Sequence, residues 1–425
     1  MNAVVRADGA FRVDALTRFL RGGLLEKLAR LQQGCLVLND AFGTEELGTP
    51  PSRRPDLVVR VDVLDMELYR AIAANGSVGA GESYMNGSWH CDDLVGLVRL
   101  LVRNRGLLDG MEAGLARVGG MVMRAWHSLN RNTRSGSRRN IAGHYDLGNE
   151  FFRLFLSPDM MYSSALWDAC DDTLEAASTR KLDRICRWLQ LRPSDHVVEI
   201  GSGWGGFALF AATRYGCRVT TTTISREQHA LTSARVAAAG LSGRITVLLE
   251  DYRDLRGRYD KLVSIEMVEA IGAQYLDLFF SQLSKLLERD GLALLQTITL
   301  EDHRYRQALR SVDFIQRHVF PGSFIPSIHA LLAAKTRSSD LSLIEQSDLG
   351  DSYAKTLQAW RERFMAQRDL VRAQGFAERF IRMWEFYLAY CEGGFRERSI
   401  GVSHFLFAKP GYRPGRHART GGPAA

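Results

Sequence analysis

Apolar residues recur every third or fourth position between Asp14 and Leu31 (Leu16, Phe19, Leu20, Leu24, Leu28, Leu31), the spacing of one face of an α-helix. Short β-like runs follow at Cys35 to Asn39 and Leu57 to Val63, so an α/β N-terminal domain is the simplest account. After the glycine-rich stretch GSVGAGESYMNGSW (Gly76 to Trp89) a helical pattern runs through Leu94 to Leu101, and RNTRSGSRRN (Arg131 to Asn140) has the composition of a linker. Beyond it apolar runs alternate with helical stretches: HVVEIG (His196 to Gly201), CRVTTTTIS (Cys217 to Ser225), ITVLLED (Ile245 to Asp251), DKLVSIEMV (Asp260 to Val268) and LALLQTITL (Leu292 to Leu300). Short apolar strands separated by helices predict a doubly wound, mainly parallel sheet, which binds ligands at the carboxyl ends of its strands. A long helical stretch, about Glu301 to Thr336, precedes two further strands, LSLIEQ (Leu341 to Gln346) and VSHFLFAK (Val402 to Lys409), and the tail after Pro410 is expected to be disordered.

Length and composition narrow the class. A chain of 425 residues with 46% apolar and 24% charged residues is an ordinary globular protein of two or three domains. No uncharged apolar run approaches the roughly 18 residues of a membrane span. Arg6, Asp8, Arg12 and Asp14 interrupt the place where a signal peptide would need an apolar stretch, which predicts a cytoplasmic location. The six cysteines show no CxxC pair and no metal-ligand spacing, so reduced thiols and no metal site are expected. Nine arginines (Arg99, Arg103, Arg105, Arg117, Arg124, Arg131, Arg134, Arg138, Arg139) lie between Leu94 and Asn140 against only Asp109 and Glu112. Such a stripe suits an anionic partner, either nucleic acid or an anionic membrane face, or is merely a solvated helix face and a basic linker.

The first strand of the alternating region runs into EIGSGWGG, Glu199 to Gly206, at the start of a helix. Glycines there let the backbone turn sharply and approach a ligand, while the helix start offers free N–H groups. Gly201, Gly203 and Gly206 satisfy GxGxxG, but a dinucleotide site expects an acidic residue about 20 positions on, where this chain has Thr220 to Thr223. Glu199 and the additional Gly205 resemble the first motif of class I S-adenosylmethionine-dependent methyltransferases, which favours adenosylmethionine over NAD.

Read onwards, the chain is similar to the cyclopropane-fatty-acyl-phospholipid synthases over nearly its whole length. The matching stretches are GESYMNGSW with Asp92 to Leu94, HYDLGNEFF (His144 to Phe152), MMYSSALW (Met160 to Trp167), EIGSGWGG, TISREQ (Thr223 to Gln228), EDYRDL (Glu250 to Leu255), SIEMVEAIG (Ser264 to Gly272), DFIQRHVFPGSFIPS (Asp313 to Ser327), SYAKTLQAW (Ser352 to Trp360) and CEGGF (Cys391 to Phe395). The resemblance implies an α/β fold: a class I methyltransferase domain, Rossmann-like with a mainly parallel sheet and a helical insertion, behind a small α/β N-terminal lipid-associated domain. The limits implied are 1–115 for the lipid-associated domain, 116–140 for the basic linker, 141–410 for the catalytic domain and 411–425 for the tail.

The chemistry the family performs explains the residues its site needs. A cis alkene in a phospholipid acyl chain is a weak nucleophile, so it must be aligned with the sulfonium methyl in a site that excludes water. Methyl transfer leaves cation character on the chain, and a proton must leave the new methyl before a cyclopropane ring closes; the family is understood to use bound bicarbonate as that base. Carried over position by position, the bicarbonate pocket falls on Glu269, Tyr353 and Ile298, with Ser164 where many members have cysteine and Gln296 where many have histidine. Both replacements can donate hydrogen bonds but supply no thiolate or imidazole. Ala270, often histidine in the family, belongs to an EMVEA variant of the motif. Cofactor contacts fall on Tyr162 and Ser163 near the methionine end, on Glu199, Gly201 and Gly203 in the loop, and on Thr223, Ile224, Ser225, Arg226, Glu227 and Gln228 around the ribose. Tyr252 and Arg253 fall near the adenine. Cys391 matches a cysteine counted among the family's active-site residues and enters the catalytic set on that ground. Its chemistry favours a packing thiol, since a nucleophilic cysteine has no step in methyl transfer to an alkene. His144 is either a loop residue or a cofactor-side group, and the aromatics of MWEFYLAY (Met383 to Tyr390) are either helix core or a wall for the cation.

The function implied is conversion of cis-unsaturated phospholipid acyl chains to cyclopropane chains at the inner face of a membrane, with adenosylmethionine and bicarbonate, by a peripheral enzyme that the family suggests is a homodimer. Ser164 and Gln296 keep open a methyl-branched or methylene product. A non-catalytic lipid-binding protein is opposed by Glu199, Gly201, Gly203, Glu269 and Tyr353. A nucleic-acid methyltransferase has only the basic stripe in its favour, so no nucleic-acid partner is expected.

Overall fold

The computed structural model of the protein describes residues 13–109, 147–168 and 173–414, which gather into two units. The first holds residues 13–109 with Ser311–His318 and Arg368–Glu397, and the second holds the remaining described residues. The first unit therefore draws two of its segments from beyond residue 300, where a division at one point of the chain would not look. The expected limits near 115 and 140, and His144, lie outside the described residues.

In the first unit the helix Ala15–Leu28 starts at Asp14, whose carboxylate accepts the Thr17 N–H at 2.9 Å and caps the helix. Strands β1 (Cys35–Asp40), β2 (Gly43–Gly48), β3 (Val58–Val63) and β4 (Trp89–Cys91) form a sheet in the order β2-β1-β3-β4, with only β1 and β3 parallel. The glycine-rich stretch is largely helical: Glu67–Met85 is one helix kinked at Gly76, where φ is +56°. Its glycines serve close packing. A Cβ on Gly79 would lie 2.0 Å from the Ala71 carbonyl oxygen, and one on Gly81 would lie 2.5 Å from the Phe314 ring. MWEFYLAY falls on the helix Glu378–Arg396, with Trp384, Phe386, Tyr387 and Leu388 buried in this unit. Of the nine arginines of the basic stripe, Arg99 and Arg103 are paired with Glu397 at 2.7 and 3.0 Å, and Arg103 also with Asp56 at 2.6 Å. The six from Arg117 onward lie outside the described residues.

The second unit is built on strands β5 (His196–Ile200), β6 (Arg218–Thr223), β7 (Ile245–Leu249), β8 (Tyr259–Ile265), β9 (Leu287–Leu300), β10 (Ser342–Asp348) and β11 (Ile400–Ala408), in the order β10-β11-β9-β8-β5-β6-β7. Only β11 runs against its neighbours. Val197, Val198, Leu262, Val263, Leu292, Ala293 and Leu294 are buried, as expected of strands covered on both faces. Strand order reverses between β5 and β8, and the crevice at the carboxyl ends there is where such sheets hold ligands. The expected long helix between Glu301 and Thr336 is instead four short segments, 302–304, Tyr305–Ala308, Phe314–His318 and Ile328–Ser338. Pro321-Gly322 and Pro326 break the run, and Ser327 caps the last segment by accepting the Ala330 N–H. The start of the expected disordered tail is held in place, with the Gly411 N–H donating to the Arg289 carbonyl at 2.9 Å.

Candidate active site

The glycine loop leaves β5 at Ile200 and enters the helix Gly206–Arg214. Gly201, Gly203 and Gly205 have φ of +96°, +49° and +84°, a region in which an L side chain is strained, so the loop turns tightly only with glycine. A Cβ on Gly203 would meet nothing within 4 Å, which leaves open space above the loop, whereas one on Gly206 would lie 2.5 Å from Met161 Sδ. Glu199, at the end of β5, is buried; burial pushes its carboxyl up to about 8 against the opposing pull of Thr221, and its Oε2 has no partner. Thr223, Ser225 and Gln228 build the next turn: Thr223 Oγ1 donates to Gln228 Oε1 at 2.8 Å, and Ser225 caps the helix Arg226–Ala238. Arg226 and Glu227 are exposed there and Ile224 is half-buried. Tyr252 is buried with an unpartnered hydroxyl, and Arg253 closes its guanidinium on Asp251 at 2.8 and 2.6 Å. The residues thus fit the expected adenosylmethionine: open space over Gly203, and the unpaired polar atoms of Glu199 and Tyr252 among the residues meant to hold it.

The carboxyl ends of β8 and β9 carry a second cluster. Glu266 is the first residue beyond β8 and adopts φ +50°. Its Oε1 accepts from the Ser164 N–H and from Gln296 Nε2, each at 2.8 Å, and its Oε2 accepts from the Tyr353 hydroxyl at 2.7 Å. Glu269 lies one turn on; its Oε1 accepts the Ile298 N–H at 2.5 Å and the Thr297 hydroxyl at 3.0 Å, while its Oε2 is buried without a partner. Burial, reinforced by the charge of Glu266, pushes Glu269 up to about 8, and burial raises Glu266 as well. Two such carboxyls share a proton rather than both ionise. Gln296 is oriented across the β9–β11 ladder: His404, its register partner, donates from Nε2 to Gln296 Oε1 at 2.9 Å, which turns the amide nitrogen toward Glu266. His404 is buried and held well below the ordinary histidine value, hence neutral.

Ser163 and Tyr162 connect the two clusters to their surroundings. Ser163 Oγ accepts from Lys181 Nζ at 2.7 Å. Lys181 is buried on the helix Leu174–Trp188, and burial pulls its ammonium down to about 8 against the opposing charges of Asp159 and Glu266. Tyr162 sits among the rings of Phe152, Trp360 and Phe320 at centroid distances of 5.4, 5.2 and 6.4 Å, an apolar surround that excludes water. The loop and the carboxylate cluster meet at Met267, next to Glu266: its Cγ would be 3.1 Å from a Cβ on Gly201.

Of the sequence-predicted catalytic set, Ser164, Gln296, Ile298, Glu269 and Tyr353 are brought together. Cys391 is not among them; it lies in the first unit, where burial and Asp313 push its thiol up and keep it from acting as a thiolate. Sequence reasoning missed Glu266, Lys181, Thr297, His404 and Asp251. A signal for Glu266 was present: a second glutamate in the same motif, in a chain that lacks the titratable groups usual at positions 164 and 296. The expected bicarbonate does not fit this pocket. Tyr353, Gln296 and the Ser164 amide are engaged by Glu266, the Ile298 amide by Glu269, and the Ser164 hydroxyl donates to the Ala165 carbonyl at 2.9 Å. A bicarbonate would also set a second anion beside the one charge that this buried carboxyl pair carries.

Known proteins resemble this chain over most of its length. Residues 132–405 match the family described as mycolic acid cyclopropane synthetase. A Mycobacterium tuberculosis protein named tuberculostearic acid methyltransferase UfaA1 is 36% identical over 395 residues, covering 88% of each chain. The cyclopropane-fatty-acyl-phospholipid synthase of Escherichia coli K12 is 35% identical over 351 residues, 82% of this chain and 87% of that one. Among solved structures, mycolic acid cyclopropane synthase CmaA1 complexed with SAH and CTAB superposes with a TM-score of 0.60 at 30% identity, covering 64% of this chain and 98% of that one.

Proposed function

The chain belongs to the mycolic acid cyclopropane synthetase family and is an adenosylmethionine-dependent methyltransferase of the cyclopropane-fatty-acyl-phospholipid synthase type; from that premise we propose that it methylates the cis double bond of unsaturated phospholipid acyl chains and closes the product to a cyclopropane. The observation that carries the proposal is the donor-ringed carboxyl pair Glu266 and Glu269, which meets the glycine loop at Met267. Adenosylmethionine supplies an electrophilic methyl group. The chain's part is to hold the cofactor over Gly201 and Gly203, to keep water out with Tyr162, Trp360 and Phe152, and to place an acceptor for the departing proton beside the cation. In our reading the enzyme meets its lipid as a peripheral protein; no described helix is long and apolar enough to cross a membrane.

A second product is favoured by a specific feature, the replacement of the usual cysteine and histidine by Ser164 and Gln296 around Glu266, and by the relative named as a tuberculostearic acid methyltransferase. Where the proton leaves decides between a ring and an alkene, either a methylene or a methyl-branched unsaturated chain; a saturated methyl-branched chain needs a hydride donor as a further reactant. Both readings meet one experiment: incubate the protein with isotopically labelled adenosylmethionine and vesicles of unsaturated phospholipid, then analyse the released acyl chains. A labelled one-carbon gain with upfield ring-proton signals supports the cyclopropane, and vinylidene signals support the methylene. No labelled acyl chain at all refutes the function.

A further inference from the structure

We propose that the side-chain carboxylate of Glu266 is itself the base of this reaction, standing where the family resemblance expects a bound bicarbonate. The inference rests on the reading that this pocket performs the methyl transfer. A carboxylate and a bicarbonate present the same planar O–C–O fork, and Glu266 receives that fork's donors from the expected positions: Tyr353 on one oxygen, Gln296 and the Ser164 amide on the other. Two acceptor sites on Oε1 are filled and one on Oε2, which leaves one lone pair of Oε2 for an incoming proton.

The backbone supports the assignment. Glu266 holds φ +50°, the left-handed region that strains a non-glycine residue. The fold holds the residue there through the Glu266 N–H, which donates to the Gln296 carbonyl at 2.7 Å, and through the three donors on the carboxylate. A side chain turned inward against its backbone preference and met by three donors is a placed functional group. Glu269 takes the complementary part. Its Oε2 has no partner whereas Glu266 is met by three donors, so of a pair that shares one proton Glu269 is the member that holds it and Glu266 the one whose charge is stabilised. Lys181, the buried cation nearby, donates to Ser163 and balances that single charge.

The step balances within the residues and substrates named. The alkene π pair forms the new carbon–carbon bond to the methyl group as the methyl–sulfur pair stays with sulfur, leaving a cation on the neighbouring chain carbon. Glu266 Oε2 takes a proton from the new methyl, and the C–H pair so released closes the ring. Glu266 ends protonated and returns the proton to solvent between turnovers.

The test compares turnover in bicarbonate-stripped and bicarbonate-supplemented buffer, using the whole protein with unsaturated phosphatidylglycerol vesicles. Wild type should be indifferent, within about twofold, whereas a fall of about tenfold or more on stripping overturns the proposal. Glu266→Gly empties the fork at a φ that glycine adopts freely, and should lose about 10²- to 10⁴-fold in stripped buffer and regain part of it with bicarbonate. Near-normal turnover of that variant without bicarbonate also overturns it. Carbon NMR of labelled bicarbonate gives a readout independent of turnover: line broadening by Glu266→Gly and not by wild type is expected, and broadening by wild type overturns the proposal. If calorimetry shows that Glu266→Gly no longer binds adenosylmethionine, Glu266→Gln carries the test, with loss of turnover supporting the base and near-normal turnover overturning it. Wild type that methylates no lipid in either buffer sinks the function reading instead, and the bicarbonate signal still decides who occupies the fork.

Discussion

Tyr353→Phe removes one atom from the pocket, the hydroxyl donating to Glu266 Oε2 at 2.7 Å, and leaves the ring that packs edge-on to Trp360 at 6.1 Å. A hydrogen bond to a charged acceptor contributes about 1.5–3 kcal/mol, and here it acts on the ionised form of Glu266. Burial already raises Glu266, and losing the donor raises it further. The sign follows: a base is active above its folded-state pKa and is lost as pH falls through it, so the variant's acidic limb moves to higher pH. At 1.36 kcal/mol per pH unit, turnover at a fixed pH on that limb drops about 10- to 100-fold, while well above the limb the two proteins converge. The other groups facing Glu266 are Glu269, Lys181, Gln296 and the Ser164 amide; the two of these that titrate, Glu269 and Lys181, keep their own hydrogen-bond partners Ile298, Thr297 and Ser163 in the variant. The assay is kcat from about pH 6 to pH 9 with both substrates saturating, beside calorimetric titration of adenosylmethionine, whose affinity should hold. A limb that stays in place, or an equal loss at every pH, refutes the argument that Tyr353 acts through the charge of Glu266.

Glu199 has a folded value near 8, above the ordinary carboxyl value of about 4.3, so the stability it contributes is present at acid pH and lost as pH rises through 8. Glu199→Gln should therefore flatten the fall of the melting temperature of the ligand-free protein between about pH 5 and pH 9, by an effect on the order of a few kcal/mol at most; parallel curves would count against a buried acid. Gly206→Ala puts a Cβ 2.5 Å from Met161 Sδ and 2.8 Å from the Asp159 carbonyl oxygen, so the loop must shift and adenosylmethionine affinity should fall by about tenfold or more; unchanged calorimetric affinity would show that the loop tolerates the shift. Cys391→Ala should retain turnover within about threefold, and a loss on the order of a hundredfold would return Cys391 to the catalytic set.

What could be read from the chain alone was what depends on periodicity and on short local motifs. The strands at His196, Asp260 and Leu292 were legible because strands covered on both faces are apolar runs, the one at Cys217 because its valine and threonines are β-branched, and the loop at Gly201 because its turn demands glycine. Ser164, Gln296, Ile298, Glu269 and Tyr353 were legible as a set only through motif resemblance, since they are spread over nearly 200 residues and meet through the sheet order.

The tertiary structure decided what local pattern leaves open. Leu16 and Phe19 share the helical spacing of Leu28 and Leu31, yet the first two are exposed and the last two buried, because burial depends on what packs against the face. GSVGAGESYM reads as turn-rich and is helical, because its glycines let Ala71, Phe314 and Phe386 approach closely. Which glutamate of SIEMVEAIG meets the donors could not be read from spacing: the strand ends at Ile265, and the positive φ of Glu266 turns its side chain onto donors from three other parts of the chain. A side chain's chemistry is written in the sequence, but the partners that decide its protonation arrive only when β8, β9 and the helix Gly350–Ala366 come together.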